Sequence, residues 1–303
     1  MLNDSNLATV HAGSGPALQR ALGQLPRGGL ELQAVEAGEI DAVIDYAHAN
    51  VIMFPVARRA LRVAASRASA ASRKAALEGP AANSVLAALP RAAYRRLLPS
   101  LEPITLEFGV VLHELGAPIR HVYFPIDCVV CLLTGTESQQ AVETGLVGYE
   151  GMLGVSLALG VGVSSVRAVV QVAGTALRMP AARFNNEFRR CPPLQRELYR
   201  CAHVEMTQAR QTAACVASHL FEQRFACWLL MTSDRSRSRE MLLTQGYLAT
   251  VLNVRRESVT QVAGSLRSRA LISYSRGRIG ILDRKGLESA SCSCYRPIEV
   301  HEQ

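Results

Sequence analysis

The chain has 303 residues, 49% of them hydrophobic, which is enough for two or three domains with sizeable cores and excludes a disordered polyelectrolyte. Its net charge is +8, and residues 235–286 hold eleven Arg or Lys against three Asp or Glu, so a surplus equal to the whole net charge lies in one carboxyl-terminal stretch. Localised positive charge suits contact with phosphates. No run reaches about eighteen apolar residues, and the opening MLNDSNLATVHAGSG lacks a charged segment leading into an apolar one, so a cytoplasmic protein with no membrane partner is expected. The eight cysteines are then expected as reduced thiols buried like small hydrophobes.

Residues 1–80 form an extension without a readable function. A strand is expected through Ala42 to Ile44, then a helix-like ARRALRVAA, then an Ala- and Ser-rich stretch that reads as a linker or a solvated helix. From Ser84 the pattern is ordered. A short helix around Arg91 to Leu98 leads into apolar runs of strand length, punctuated by Gly109, Gly116, Pro118, Pro125 and Gly135 and continuing through Gly145, Gly148, Gly151 and Gly154 to VRAVVQVAGTALRM. Many short strands with glycine turns imply a β-roll or barrel, closed by a helix at about Pro180 to Phe188.

Residues 193–232 contain no Gly, and no Pro after Pro193, and predict one long helix or two nearly continuous ones. Leu194, Leu198, Cys201, Ala209 and Val216 have the spacing of a seam against an identical helix. Leu220, Phe225, Trp228, Leu229 and Leu230 carry larger groups expected to pack on the next domain. SDRSRSRE reads as a short charged loop.

The most informative stretch is 244–272. Leu248 and Leu252 lie one turn apart; after a break at Asn253, the set Val259, Val262, Ala263 and Leu266 recurs at helical spacing. Thr244 suits an N-cap, Ala249 permits close crossing, and Asn253 tolerates the left-handed conformation of a tight interhelical turn. Opposite the apolar stripe stand Arg256, Glu257, Thr260 and Gln261, which can reach base edges. ISYS, Arg276-Gly277-Arg278 and IGILD then read as a hairpin, the wing behind a helix-turn-helix.

Across this segment the chain resembles the winged helix-turn-helix of the Crp/Fnr family of bacterial transcription regulators, whose recognition helix begins with an Arg-Glu pair, here Arg256-Glu257 followed by Ser258. Arg255 stands where a capping Ser or Thr is common, and Gln261 where a second base-reading Arg is common. Arg donates two hydrogen bonds to guanine and Glu accepts from cytosine, about 1–3 kcal/mol of discrimination per good pair. The DNA-binding set is therefore Arg255, Arg256, Glu257, Ser258, Thr260, Gln261, Arg267, Arg276 and Arg278.

The resemblance implies an α+β fold: an antiparallel, jelly-roll-like β-roll sensor domain, a long dimerisation helix and a carboxyl-terminal winged helix-turn-helix. Its divisions fall at 1–80 (extension), 81–190 (cyclic-nucleotide-binding-like roll), 191–232 (dimerisation helix), 233–290 (DNA reader) and 291–303 (tail). Cyclic-nucleotide binders in the family use a Glu for the ribose and an Arg for the phosphate. The matching positions here are Val155, after Gly154, and Ser164, with Arg167 nearby, so another small-molecule effector, or none, is expected. The implied partners are double-stranded DNA and a second copy of the chain, with RNA polymerase a further candidate; the competing reading is a protein-interaction adaptor.

Other chemistry is weaker. Cys128 and Cys131 have CxxC spacing but lie in a strand-like apolar run, Cys215 and His219 could make half a metal site but read more simply as packing, and Cys292 and Cys294 fall in an exposed tail. No metal or cofactor is assigned. Gly148, Gly151 and Gly154 read as turn glycines, and without a nucleophile elbow, HExxH or paired carboxylates no enzyme is expected.

Overall fold

The computed structural model describes residues 42–45, 50–53, 82–135, 141–275 and 277–295. Within the extension, strand β1 (Ala42–Asp45) pairs antiparallel with β2 (Asn50–Met53), which places a strand where the sequence suggests one; ARRALRVAA and the Ala/Ser stretch lie outside the described residues.

Helices α1 (Ser84–Ala87) and α2 (Arg91–Leu97) precede the roll. Asn83 ties them to it: its side-chain oxygen accepts from the Val85 and Leu86 amides while its Nδ2 donates to the Pro125 and Gly151 carbonyls at 2.9 Å. A fully buried Asn is tolerated because its polar atoms are paired.

Seven strands build the roll: β3 (Glu102–Leu106), β4 (Val111–His113), β5 (His121–Pro125), β6 (Val129–Gly135), β7 (Ala141–Val147), β8 (Arg167–Val172) and β9 (Gly174–Pro180). They form two antiparallel sheets, of order β3-β9-β5 and β4-β8-β6-β7. Alternation explains why β6 is apolar from Val129 to Leu133. Val130 and Leu132 point between the sheets with Tyr123 and Ala168, while Val129, Cys131 and Leu133 point outward and join the core of the carboxyl-terminal domain. On the other side, Val122, Phe124, Leu177 and Met179 pack against α1, α2, α3 (Ala181–Arg189) and the start of α4 (Pro192–Ser218).

Helix α4 ends at Ser218, and α5 (Phe221–Ser236) begins after an extended break at His219 and Leu220. The reader follows: β10 (Glu240–Leu242), α6 (Gln245–Val251), α7 (Arg256–Ser268), β11 (Ile272–Ser275), β12 (Arg278–Ile281) and α8 (Arg284–Ala290). The hairpin expected from sequence gains a third strand, since β10 pairs with β12 on the side opposite β11. Among the described residues no helix is long and apolar enough to cross a membrane.

Two expectations are corrected here. Leu194 and Leu198 are fully buried, and with Cys201 they pack on the chain's own roll, so they belong to no seam. The exposed apolar positions of α4 repeat instead as Tyr199, Met206, Ala209, Ala213 and Val216, a spacing of three, four and seven residues, with Tyr199 51%, Met206 46% and Val216 50% exposed, while Ala202, in the same register, is half-buried against the roll and Leu220, 75% exposed, lies beyond the helix in the extended break. Leu220 therefore does not dock on the reader, although Phe225, Trp228, Leu229 and Leu230 do. The second correction concerns SDRSRSRE: Ser233 to Ser236 complete α5, and Arg235 is buried.

Candidate nucleic-acid interface and its couplings

The two helices that carry the interface are set by local chemistry. Thr244 caps α6, its hydroxyl oxygen accepting from the Tyr247 amide at 3.2 Å. Leu252 ends that helix, and Asn253 turns the chain at φ 51°, the left-handed geometry that its short polar side chain tolerates. Arg255 occupies the N-cap of α7 without a side-chain capping bond, leaving the guanidinium exposed.

Along α7, Val259, Ala263 and Leu266 are buried with Leu248, Val251, Ile272 and Ile279. That face fixes the opposite one: Arg255, Arg256, Glu257, Thr260, Gln261 and Arg267 are exposed and Ser258 is half-buried. Glu257 lies in the helix's first turn, where a negative side chain complements the helix dipole. Thr260 Oγ donates to Gln245 Oε1 at 2.9 Å, a bond that ties the two helices together. On the wing, Arg278 is exposed and ion-paired with Glu240 at 2.9 Å, while Arg276 lies outside the described residues.

The structure brings three of the four expected effector residues together. A cavity of about 280 Å³ is lined by Gly154, Val155 and Ser164 with His113, Thr144 and, from α4, Ala202, Glu205, Met206 and Ala209. Arg167 is not in the lining; it is buried and ion-paired with Glu114 at 3.1 Å. Burial lowers the His113 pKa and raises that of Glu205, so both charged forms are disfavoured at the cavity wall.

Polar contacts link roll and reader. Arg235, at the end of α5, ion-pairs with Glu150 at 2.8 Å, and donates to the Leu146 carbonyl and to Gln208 Oε1 of α4. Gly148 permits this approach, because a Cβ there would lie 2.6 Å from Arg235 Cβ. Trp228 Nε1 donates to Glu143 at 2.8 Å, and the Tyr247 hydroxyl donates to Gln171, whose amide reaches Thr232. Glu143 as a residue is only half-buried, but its carboxylate sits at the enclosed end between Trp228 and Cys131. Burial lifts its pKa to about 7, against the lowering effect of the Cys131 and Trp228 hydrogen bonds and of Arg235. Sequence reasoning missed all of these groups, since a lone Glu in a strand and an Arg in a serine-rich run carry no periodic signal.

Cys128 and Cys131 are buried in separate clusters, as core thiols, and burial pushes Cys128 up to about 12. The tail is different. Cys292 is buried and Cys294 half-buried, not exposed as expected, and the ligand atoms of Cys215, His219, Cys292 and Cys294 all lie within 4.8 Å of one another. Burial and the neighbouring thiols push Cys215 up to about 12. Burial opposes ionisation of Cys292, yet the Cys294 amide and surrounding thiols draw it below the ordinary range.

Residues 223–290 match the family model for a Crp-like helix-turn-helix domain. No curated protein sequence matches the chain. Similar solved structures include FixK2 from Bradyrhizobium japonicum, with 13% identity, 64% of this chain and 98% of that one covered and a TM-score of 0.54. A Crp/Fnr-family transcriptional regulator from Thermus thermophilus has 21% identity, coverage of 63% and 98%, and a TM-score of 0.51. CLP, the c-di-GMP-responsive global regulator of Xanthomonas campestris, has 12% identity, coverage of 63% and 99%, and a TM-score of 0.50. These likenesses give the fold.

Proposed function

We propose that this chain, a Crp/Fnr-type transcription regulator with a carboxyl-terminal helix-turn-helix, binds a palindromic operator as a homodimer and answers to a small molecule held by the roll. The observation that carries the reading is the exposed Arg256-Glu257 pair at the free start of α7, a helix whose opposite face is locked into the core. Arg256 reads a guanine and Glu257 accepts from a cytosine; Arg255, Arg267, Arg276 and Arg278 contact phosphates, and Ser258, Thr260 and Gln261 complete the base-facing set.

The seam from Tyr199 to Val216 supports self-association, because exposed apolar groups at heptad spacing are covered by a second identical helix. Two heads related by that axis contact successive major grooves roughly 34 Å apart. Met206 and Ala209 belong both to the seam and to the cavity wall, so an effector in the cavity pushes directly on the dimer contact. Among the described residues the cavity lining holds no arginine or lysine, which disfavours a cyclic phosphate and favours a neutral, largely apolar ligand.

The test is binding of the purified protein to DNA from upstream of its own gene, compared with random duplex. Arg256→Ala is expected to lose about 1–3 kcal/mol on the operator and little on random DNA. Equal losses on both remove the base-reading role. A protein that ignores every genomic fragment at moderate salt favours the adaptor reading.

A further inference from the structure

Four soft ligands converge where the end of α4 meets the tail after α8. Cys215 lies in the last turn of α4, and His219 follows it at the helix cap, where its amide still bonds the Cys215 carbonyl at 3.0 Å. That last helical bond keeps the two residues one turn apart. Cys292 and Cys294 arrive from the opposite end of the reader. Their turn is closed by the Tyr295 amide on the Cys292 carbonyl, and Tyr295 is pinned in turn: Arg284 donates to its hydroxyl, which donates to Asp234 at 2.8 Å, while Arg284 ion-pairs with Asp234 at 2.7 Å.

We propose that Cys215, His219, Cys292 and Cys294 bind one zinc ion, three sulfurs and a ring nitrogen, clamping the carboxyl-terminal tail to the dimer helix. The geometry is that of a four-coordinate site. With zinc–sulfur bonds of about 2.3 Å and a zinc–nitrogen bond of about 2.0 Å, tetrahedral ligand atoms lie roughly 3.5–4 Å apart. Here Cys215 Sγ and Cys292 Sγ are separated by 3.5 Å, and Cys294 Sγ and His219 Nδ1 by 3.4 Å.

Gln211, one turn before Cys215, donates from Nε2 to Cys294 Sγ at 3.0 Å, the kind of outer hydrogen bond that orients and stabilises a thiolate ligand. On binding, each thiol releases its proton to solvent as its sulfur–zinc bond forms, and neutral imidazole coordinates through Nδ1. Four protein ligands leave no open position, so the role is structural. Cys227, buried against Cys215 and Cys292, backs the site without being one of its ligands.

The experiment is metal analysis of the full chain, purified reduced and anaerobically, followed by replacement with Co²⁺. The expected result is about one zinc per chain. The cobalt form should show the intense visible bands of a tetrahedral centre and a thiolate-to-cobalt charge-transfer band. Cys292→Ser with Cys294→Ser should abolish uptake and His219→Gln should weaken it, while Cys201→Ser keeps it. Gln211→Leu, which leaves every ligand in place, should lower zinc affinity about 10–100-fold. Far-UV circular dichroism shows that each variant is folded.

Failure of the reduced protein to take up either metal overturns the proposal, as do octahedral cobalt, metal retained by the double cysteine variant, iron with acid-labile sulfide, or a Cys215–Cys292 disulfide in place of metal. Metal uptake is read without DNA, so the DNA-binding reading and this one fail separately.

Discussion

Glu143 makes the roll–reader contact sensitive to pH. Its carboxylate accepts from Trp228 and from the Cys131 thiol, beside Tyr247 and Arg235, and burial holds its pKa near 7. Between about pH 4.5 and 7 the unfolded chain has lost this proton while the folded one keeps it, so the folded state binds more protons and stability falls as pH rises. Below that window both states are protonated and the effect vanishes; above it the full cost is present. A lift from 4.5 to about 7 corresponds to about 3 kcal/mol, and to about 2 after allowance for the part of the side chain that solvent reaches.

Glu143→Gln keeps an oxygen that accepts from Trp228 and removes the titration. Urea unfolding followed by fluorescence of Trp228, the chain's one tryptophan, measures the difference. The variant is expected to be about 2 kcal/mol more stable than the parent above pH 7, with the gap closing as the pH falls to about 4.5. Parallel stability curves for the two proteins across that range would refute the assignment of a buried, proton-holding carboxylate at this junction.

Met206→Glu places a charge in the middle of the exposed α4 seam and should turn a dimer into a monomer in sedimentation, with operator binding lost and the circular dichroism spectrum unchanged. Asn253→Val puts a β-branched residue at φ 51° and should cost about 1–3 kcal/mol, whereas Asn253→Gly should be tolerated; thermal unfolding separates them. Thr244→Ala removes the α6 cap and should cost about 1 kcal/mol in the same assay.

The helix-turn-helix was legible because its determinants are local. A capping threonine, a left-handed asparagine and an apolar stripe at helical spacing specify α6 and α7 within about 25 residues, and the stripe decides which side chains face outward. The strands of the roll were legible from their length and glycine punctuation. The exposed stripe of α4, on which the proposed dimer contact rests, was not, because α4 carries two apolar sets and spacing cannot tell which meets the roll: Leu194 and Leu198 do, while Met206 and Val216 stay outside.

What the sequence by itself determined is therefore the architecture and the exposed face of α7, both of which follow from periodicity within single elements. Tertiary structure decided everything built from residues far apart in the chain. Arg235 is a buried anchor only because Glu150 and Gln208 close around it, and Glu143 holds its proton only because the reader covers it. Cys215 and Cys292, 77 residues apart, become neighbours only when α8 returns the tail to the end of α4. Burial and charge pairing are properties of an enclosed environment, and no local pattern in the chain encodes which segments will enclose one another.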